Sequence, residues 1–125
     1  MKRILFLDDA PERVKVFKQT YIGYNYDIAM NYEECIKLLK TNYYDVVFLD
    51  HDLDERSYAG IQDPSIKTGN DVAKFINTLP KCPDLVIVHS LNPEGAKNIC
   101  KTLADRSDGV RMVQRIPFAW QKVNL

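Results

Sequence analysis

Residues 45–50 read Asp-Val-Val-Phe-Leu-Asp, four consecutive apolar residues between two aspartates. A strand with one wet face alternates apolar and polar residues. A continuous apolar run needs burial on both faces, which is the position of a central strand in a parallel sheet covered by helices. The rest of the chain supplies the matching parts. Ile4–Leu7 and Leu85–Val88 are two more apolar runs, Tyr26–Met30 is a weaker one, and Val110–Ile116 is more polar, as an edge strand can be. Between them lie segments of helical period. Pro11 suits a first turn, followed by Val14, Phe17 and Tyr21 at i, i+3, i+7. Asn31, with Glu34 in the capping-box position, opens a stripe of Tyr32, Ile36 and Leu39. Val72, Phe75, Ile76 and Leu79 form a third stripe, stopped by Pro80 and Pro83. Asn92-Pro93-Glu94 starts a fourth, with Ala96, Ile99, Cys100 and Leu103. Alternating strands and helices predict an α/β doubly wound, five-stranded parallel sheet with right-handed crossovers. The tail from Pro117 to Leu125 holds at most a short helix.

At 125 residues the chain, 1–125, is expected to be a single domain, and 46% hydrophobic residues can fill its core. Seventeen basic residues balance 17 acidic ones, which argues against a nucleic-acid grip by bulk charge. No apolar run approaches the ~20 residues of a membrane span. The N-terminal segment, with acidic residues straight after Ile4–Leu7, reads as a strand and not as a signal peptide, so a cytoplasmic location is expected. Cys35, Cys82 and Cys100 form no C-x-x-C pair. Cys35 and Cys100 fall on apolar helical stripes as small buried hydrophobes, and Cys82 reads as an exposed loop thiol. Between Leu53 and Gly69 the stretch Asp54–Thr68 has no periodicity, and its polar, glycine-containing composition is that of a mobile lid.

Ligands of an open parallel sheet bind outside the carboxyl ends of its strands. Those ends carry Asp8 and Asp9, then Asp50, His51 and Asp52, then His89, Ser90 and Asn92, and finally Arg115. Asp9 and Asn92 also suit helix capping, and Arg115 alone also suits a solvated edge. Converging carboxylates raise one another's pKa unless a cation or proton intervenes, and hard oxygen ligands favour Mg²⁺ or Mn²⁺. Asp8, Asp9 and Asp50 are therefore candidate ligands of a divalent cation.

These residues carry a resemblance. Leu7-Asp8-Asp9, Leu49-Asp50, Ser90 and Arg115-Ile116-Pro117-Phe118 are similar to the motifs of a response-regulator receiver domain. The resemblance implies strand order 2-1-3-4-5, Mg²⁺ on Asp8, Asp9 and Asp50, a phosphoryl group accepted by Asp50, and phosphate contact by Ser90. The chain departs from that pattern in four ways. Ile116 stands where receivers keep a lysine before proline, the fifth helix is short or absent, the loop after strand three is long, and histidines end two strands. With Asp8-Asp9 and Arg13, His51-Asp52-Leu53, Gly69, and His89-Ser90 before Asn92 and Gly95, it resembles the narrower cyclic-phosphate-processing receiver family.

The residues permit that chemistry on their own terms. Opening a cyclic phosphate needs an activated water, a proton for the leaving oxygen and stabilised phosphoryl charge. Two imidazoles, His51 and His89, are expected to act as a catalytic pair. Asp50 and Asp52 join them, Asp52 orienting an imidazole or coordinating metal. Arg13, Ser90, Asn92 and Arg115 are candidate phosphate ligands. The first reading is a metal-assisted phosphoesterase acting on a 2′,3′-cyclic RNA end or a cyclic nucleotide, so the expected partner is a phosphate-containing small molecule or RNA end and not a membrane. A stand-alone receiver signalling through Asp50 and a non-catalytic nucleotide-sensing module remain as alternatives.

Overall fold

The computed structural model describes residues 2–53, 63, 65–90, 92–105, 111–114 and 125. In chain order these form β1 (Arg3–Leu7), α1 (Pro11–Thr20), β2 (Asn25–Ala29), α2 (Tyr32–Thr41), β3 (Val46–Leu49), α3 (Gly69–Ile76), β4 (Leu85–Val88), α4 (Pro93–Ala104) and β5 (Arg111–Gln114). The strands pair in parallel in the order β2-β1-β3-β4, with β5 beside β4. The continuous apolar runs are the central strands, and all four residues of β3 and of β4 are buried. Among the described residues no helix is long and apolar enough to cross a membrane. The expected short fifth helix lies outside the described residues.

Strand alternation divides the core into two layers. Ile4, Phe6, Val46, Phe48, Leu85 and Ile87 face Val14, Phe17 and Tyr21 of the α1 segment. Leu5, Leu7, Val47, Leu49, Val86 and Val88 face α2, α3 and α4. The α1 side is aromatic: Phe6 stacks on Phe17 at 4.2 Å, and Phe48 meets Phe17 edge-on at 5.5 Å. Offset and edge contacts of this kind add ~0.5–1.5 kcal/mol per pair beyond area burial.

The helices begin largely where the sequence places them. Asn31 Oδ1 accepts from Glu34 N at 2.8 Å, and Asn92 Oδ1 accepts from Gly95 N at 3.0 Å. Thr68 and Asp71 form a full capping box on α3, a start that apolar spacing alone sets three residues later. Asp9 does not cap α1. Ala10 is the N-cap and α1 has no side-chain cap; Asp8 Oδ1 instead accepts from Ala10 N at 2.9 Å, which shapes the turn before the helix. Cys35 is buried, and burial pushes its thiol up to about 12. Cys82 and Cys100 are only partly buried. Most of the stretch expected to form a lid lies outside the described residues. Of its described part, Ile66 is buried and Lys67 Nζ lies 5.5 Å from the Tyr32 ring centre.

Candidate functional site

Register assembles the site. Leu7 pairs with Leu49, and Leu49 with Val88. The ladder runs one step further, with Asp50 N donating to Leu7 O at 3.2 Å and His89 N to Leu49 O at 3.0 Å. Asp8, Asp50 and His89 therefore stand abreast just past β1, β3 and β4. They continue the rows that hold Phe6, Phe48 and Ile87, which is the α1 side of the sheet.

Asp8, Asp9 and Asp50 each offer a carboxylate oxygen, and these oxygens lie within 4.8 Å of one another. Asp8 is fully buried and Asp50 is 3% exposed. Burial, with Asp8 adding repulsion, pushes the Asp50 carboxyl from 3.8 up to about 8, against a smaller opposing pull from Arg13. Arg13 sits in the second half of the first turn of α1, on the sheet side. Its Nε donates to Asp8 Oδ2 at 2.6 Å and its Nη2 to Asp8 Oδ1 at 2.9 Å. The same Nη2 lies 3.5 Å from Asp50 Oδ2 and 3.9 Å from Asp9 Oδ1. One guanidinium thus spans all three carboxylates. A divalent cation fits these residues: the donors are hard oxygens, they converge, and the space between them already attracts a positive group.

The two histidines part company, which corrects the expectation of an imidazole pair. His89 follows Ile87 on the α1 side. Its ring stacks on Phe6 at 5.0 Å and 10°, and its side chain has no solvent exposure. Nε2 lies 3.2 Å from Leu7 O, an acceptor only, so Nε2 carries the proton in the neutral ring, and Nδ1 lies 3.5 Å from Asp8 Oδ2. Burial lowers its pKa from 6.5 to about 4, although Asp8 opposes this. His51 comes one residue after Asp50 and so turns to the other side, against Gly95 at the start of α4. It is partly exposed, and its Nδ1 is 3.0 Å from Asp52 Oδ1. The carboxylate accepts, which puts the proton on Nδ1 and leaves Nε2 as the proton acceptor.

Two glycines let the helices close on this turn. A methyl at Gly69 would collide with the Asp50 carbonyl, and Gly69 N donates to His51 O at 2.8 Å. A methyl at Gly95 would collide with the His51 ring. The sequence shows both glycines but not what they touch.

The remaining candidates are placed as follows. Ser90 is buried, and its Oγ accepts from Asn92 N at 3.0 Å. Asn92 caps α4, as its place before Pro93 predicts. Both shape the start of α4, and Arg13, expected on phosphate, is held by carboxylates. Asp52 is buried and braces His51. Arg115 lies outside the described residues.

Residues 3–105 match the profile of a family described as the cyclic-phosphate processing receiver domain. No curated protein matches the chain. Solved receiver structures do. The response regulator TrrA from Thermotoga maritima, in complex with Mg²⁺-BeF, is 28% identical with a TM-score of 0.62, over 92% of this chain and 87% of that one. A receiver domain from Methylobacillus flagellatus is 18% identical with a TM-score of 0.64, over 92% and 86%. A Burkholderia pseudomallei response regulator with a phosphorylated aspartic acid, calcium ion and citrate is 16% identical with a TM-score of 0.61, over 92% and 60%.

Proposed function

The chain belongs to the cyclic-phosphate processing receiver domain family, and from that premise we propose that it is a metal-assisted phosphoesterase that opens a cyclic phosphate on an RNA end or a nucleotide. The observation that carries this reading is the Asp52-braced imidazole of His51, one residue from the buried Asp50. A phosphoacceptor site needs the aspartate and its cation; it has no use for an adjacent general base with an assigned tautomer.

Asp8, Asp9 and Asp50 would hold Mg²⁺ or Mn²⁺, which when bound neutralises charge on the phosphoryl oxygens. His51 Nε2 takes a proton from water as the water oxygen bonds to phosphorus. The bond from phosphorus to one ribose oxygen breaks, and His51 returns the proton to that oxygen. The product is a ribose phosphomonoester. Asp52 keeps the Nδ1–H tautomer through this cycle. His89 stays neutral beneath the rim, its Nε2–H bonded to Leu7 O and its ring stacked on Phe6. Ser90 and Asn92 fix the start of α4 beside His51, and Arg115 is retained as a phosphate ligand.

A second reading has Asp50 as a phosphoacceptor of a signalling receiver. It is supported by the place of Asp50 at the end of β3 beside two aspartates, and by the phosphorylated aspartic acid of the Burkholderia relative. Incubating the protein and Mg²⁺ or Mn²⁺ with 2′,3′-cyclic mononucleotides, cyclic dinucleotides and cyclic-ended RNA separates the two. Ring-opened product that disappears in His51→Ala supports the phosphoesterase. Intact substrates, with acetyl phosphate labelling Asp50, support the receiver.

A further inference from the structure

The carboxylates proposed as metal ligands already have a cation among them. Both oxygens of Asp8 bond to Arg13, at 2.6 and 2.9 Å, and the same head group reaches Asp50 and Asp9. An ion at ~2.0–2.6 Å from its oxygen ligands would compete for the same lone pairs. The guanidinium cannot relieve the conflict by losing its proton. It can relieve it by moving. Arg13 is on the first turn of α1, and about a quarter of its side chain is exposed, so its head can swing outward without any change in the helix.

We infer that Arg13 is a resident counter-cation that gives up Asp8 and Asp50 when a divalent cation is taken up, and then binds the phosphoryl group at the rim. The inference rests on the metal reading above. Its consequence is order: the guanidinium is committed to carboxylates until the metal-bound state forms, so phosphate capture through Arg13 follows metal uptake. The fork that now holds Asp8 has the geometry to hold two phosphoryl oxygens.

The wild-type chain provides the test. In its NMR spectrum without metal, the Arg13 Nε–H resonance should lie downfield and be protected from exchange. Saturating Mg²⁺ should move it to the position of solvated arginines while the backbone amides of Asp8, Asp9 and Asp50 shift. Adding inorganic phosphate to the Mg²⁺-loaded protein should send it downfield again. In Arg13→Gln with saturating Mg²⁺, inorganic phosphate should bind ~10-fold or more weakly, as expected for loss of a charge-assisted pair. Saturable Mg²⁺ shifts at the aspartates with an unmoved Arg13 signal would overturn the displacement and leave the metal site standing. Equal phosphate affinity in wild type and variant would overturn the capture step. No Mg²⁺ shift at any of the three aspartates would remove the metal reading itself.

Discussion

Titrating the metal-free protein from pH 6.5 to pH 8 should weaken the fold, with Asp50 responsible for the loss. Its carboxyl is pushed from 3.8 to about 8 by burial and by Asp8. Above about pH 4 the unfolded chain has shed this proton, whereas the folded chain keeps it until about pH 8. Across that interval the native state binds more protons, so stability falls as pH rises. His89 has the opposite sign. Burial lowers its pKa from 6.5 to about 4, so between those values only the unfolded chain is protonated and stability rises with pH. Each slope is ~1.36 kcal/mol per pH unit. The two cancel between about pH 4 and 6.5, and Asp50 alone acts from there to about pH 8. Over that last interval the loss is ~2 kcal/mol. Urea denaturation with a chelator, run on wild type and Asp50→Asn, isolates it, because other groups titrate alike in both. The wild type should lose ~2 kcal/mol relative to the variant, and saturating Mg²⁺ should abolish the loss by keeping Asp50 ionised in the folded state. Parallel curves for the two proteins from pH 6.5 to 8 would refute the reasoning.

His51→Ala should lower turnover of a cyclic phosphate by ~10²–10⁴-fold at matched folding, and lose ~1–3 kcal/mol of stability with the bond to the buried Asp52. His89→Ala should instead cost ~3–5 kcal/mol of stability, as truncation of a buried ring does, and leave the shape of the pH–rate profile intact at matched folding. Gly95→Ala forces a methyl into the His51 ring and should cost ~1–3 kcal/mol, with the His51 ring resonances displaced from their Asp52-bonded positions. Asn92→Ala should cost ~1 kcal/mol for the lost cap while Mg²⁺ affinity, read by titration calorimetry, is retained.

The strands β1, β3 and β4 and the starts of α1, α2 and α4 were legible because each has a local cause: an apolar run, a proline in the first turn, an asparagine cap; the order of β1 to β4 in the sheet came instead from the resemblance to receivers. The convergence of Asp8 and Asp50 was legible too, since both follow an apolar strand end and those strands are neighbours. The divergence of the histidines follows from parity, a signal present in the sequence. His89 is the register partner of Asp50, whereas His51 is one residue on, and alternate residues face opposite ways. The burial of His89 between aromatic neighbours needed the packing of Phe6 and Phe48. Arg13 was legible as a basic residue near the rim, but whether it meets a phosphate or a carboxylate depends on tertiary distances that spacing does not encode. The closeness of Gly69 and Gly95 to the Asp50–His51 turn is likewise a property of helix docking.

Cleavage of a cyclic phosphate and storage of a phosphoryl group on Asp50 leave different records in ¹⁸O-labelled water. The protein with Mg²⁺ or Mn²⁺ should convert a 2′,3′-cyclic mononucleotide to a ribose phosphomonoester carrying a single ¹⁸O on phosphorus, detected by mass spectrometry. His51→Ala and Asp50→Asn should slow this greatly. An unaltered cyclic nucleotide together with a phosphoryl adduct on Asp50 after acetyl phosphate treatment would contradict the phosphoesterase and assign the site to signalling.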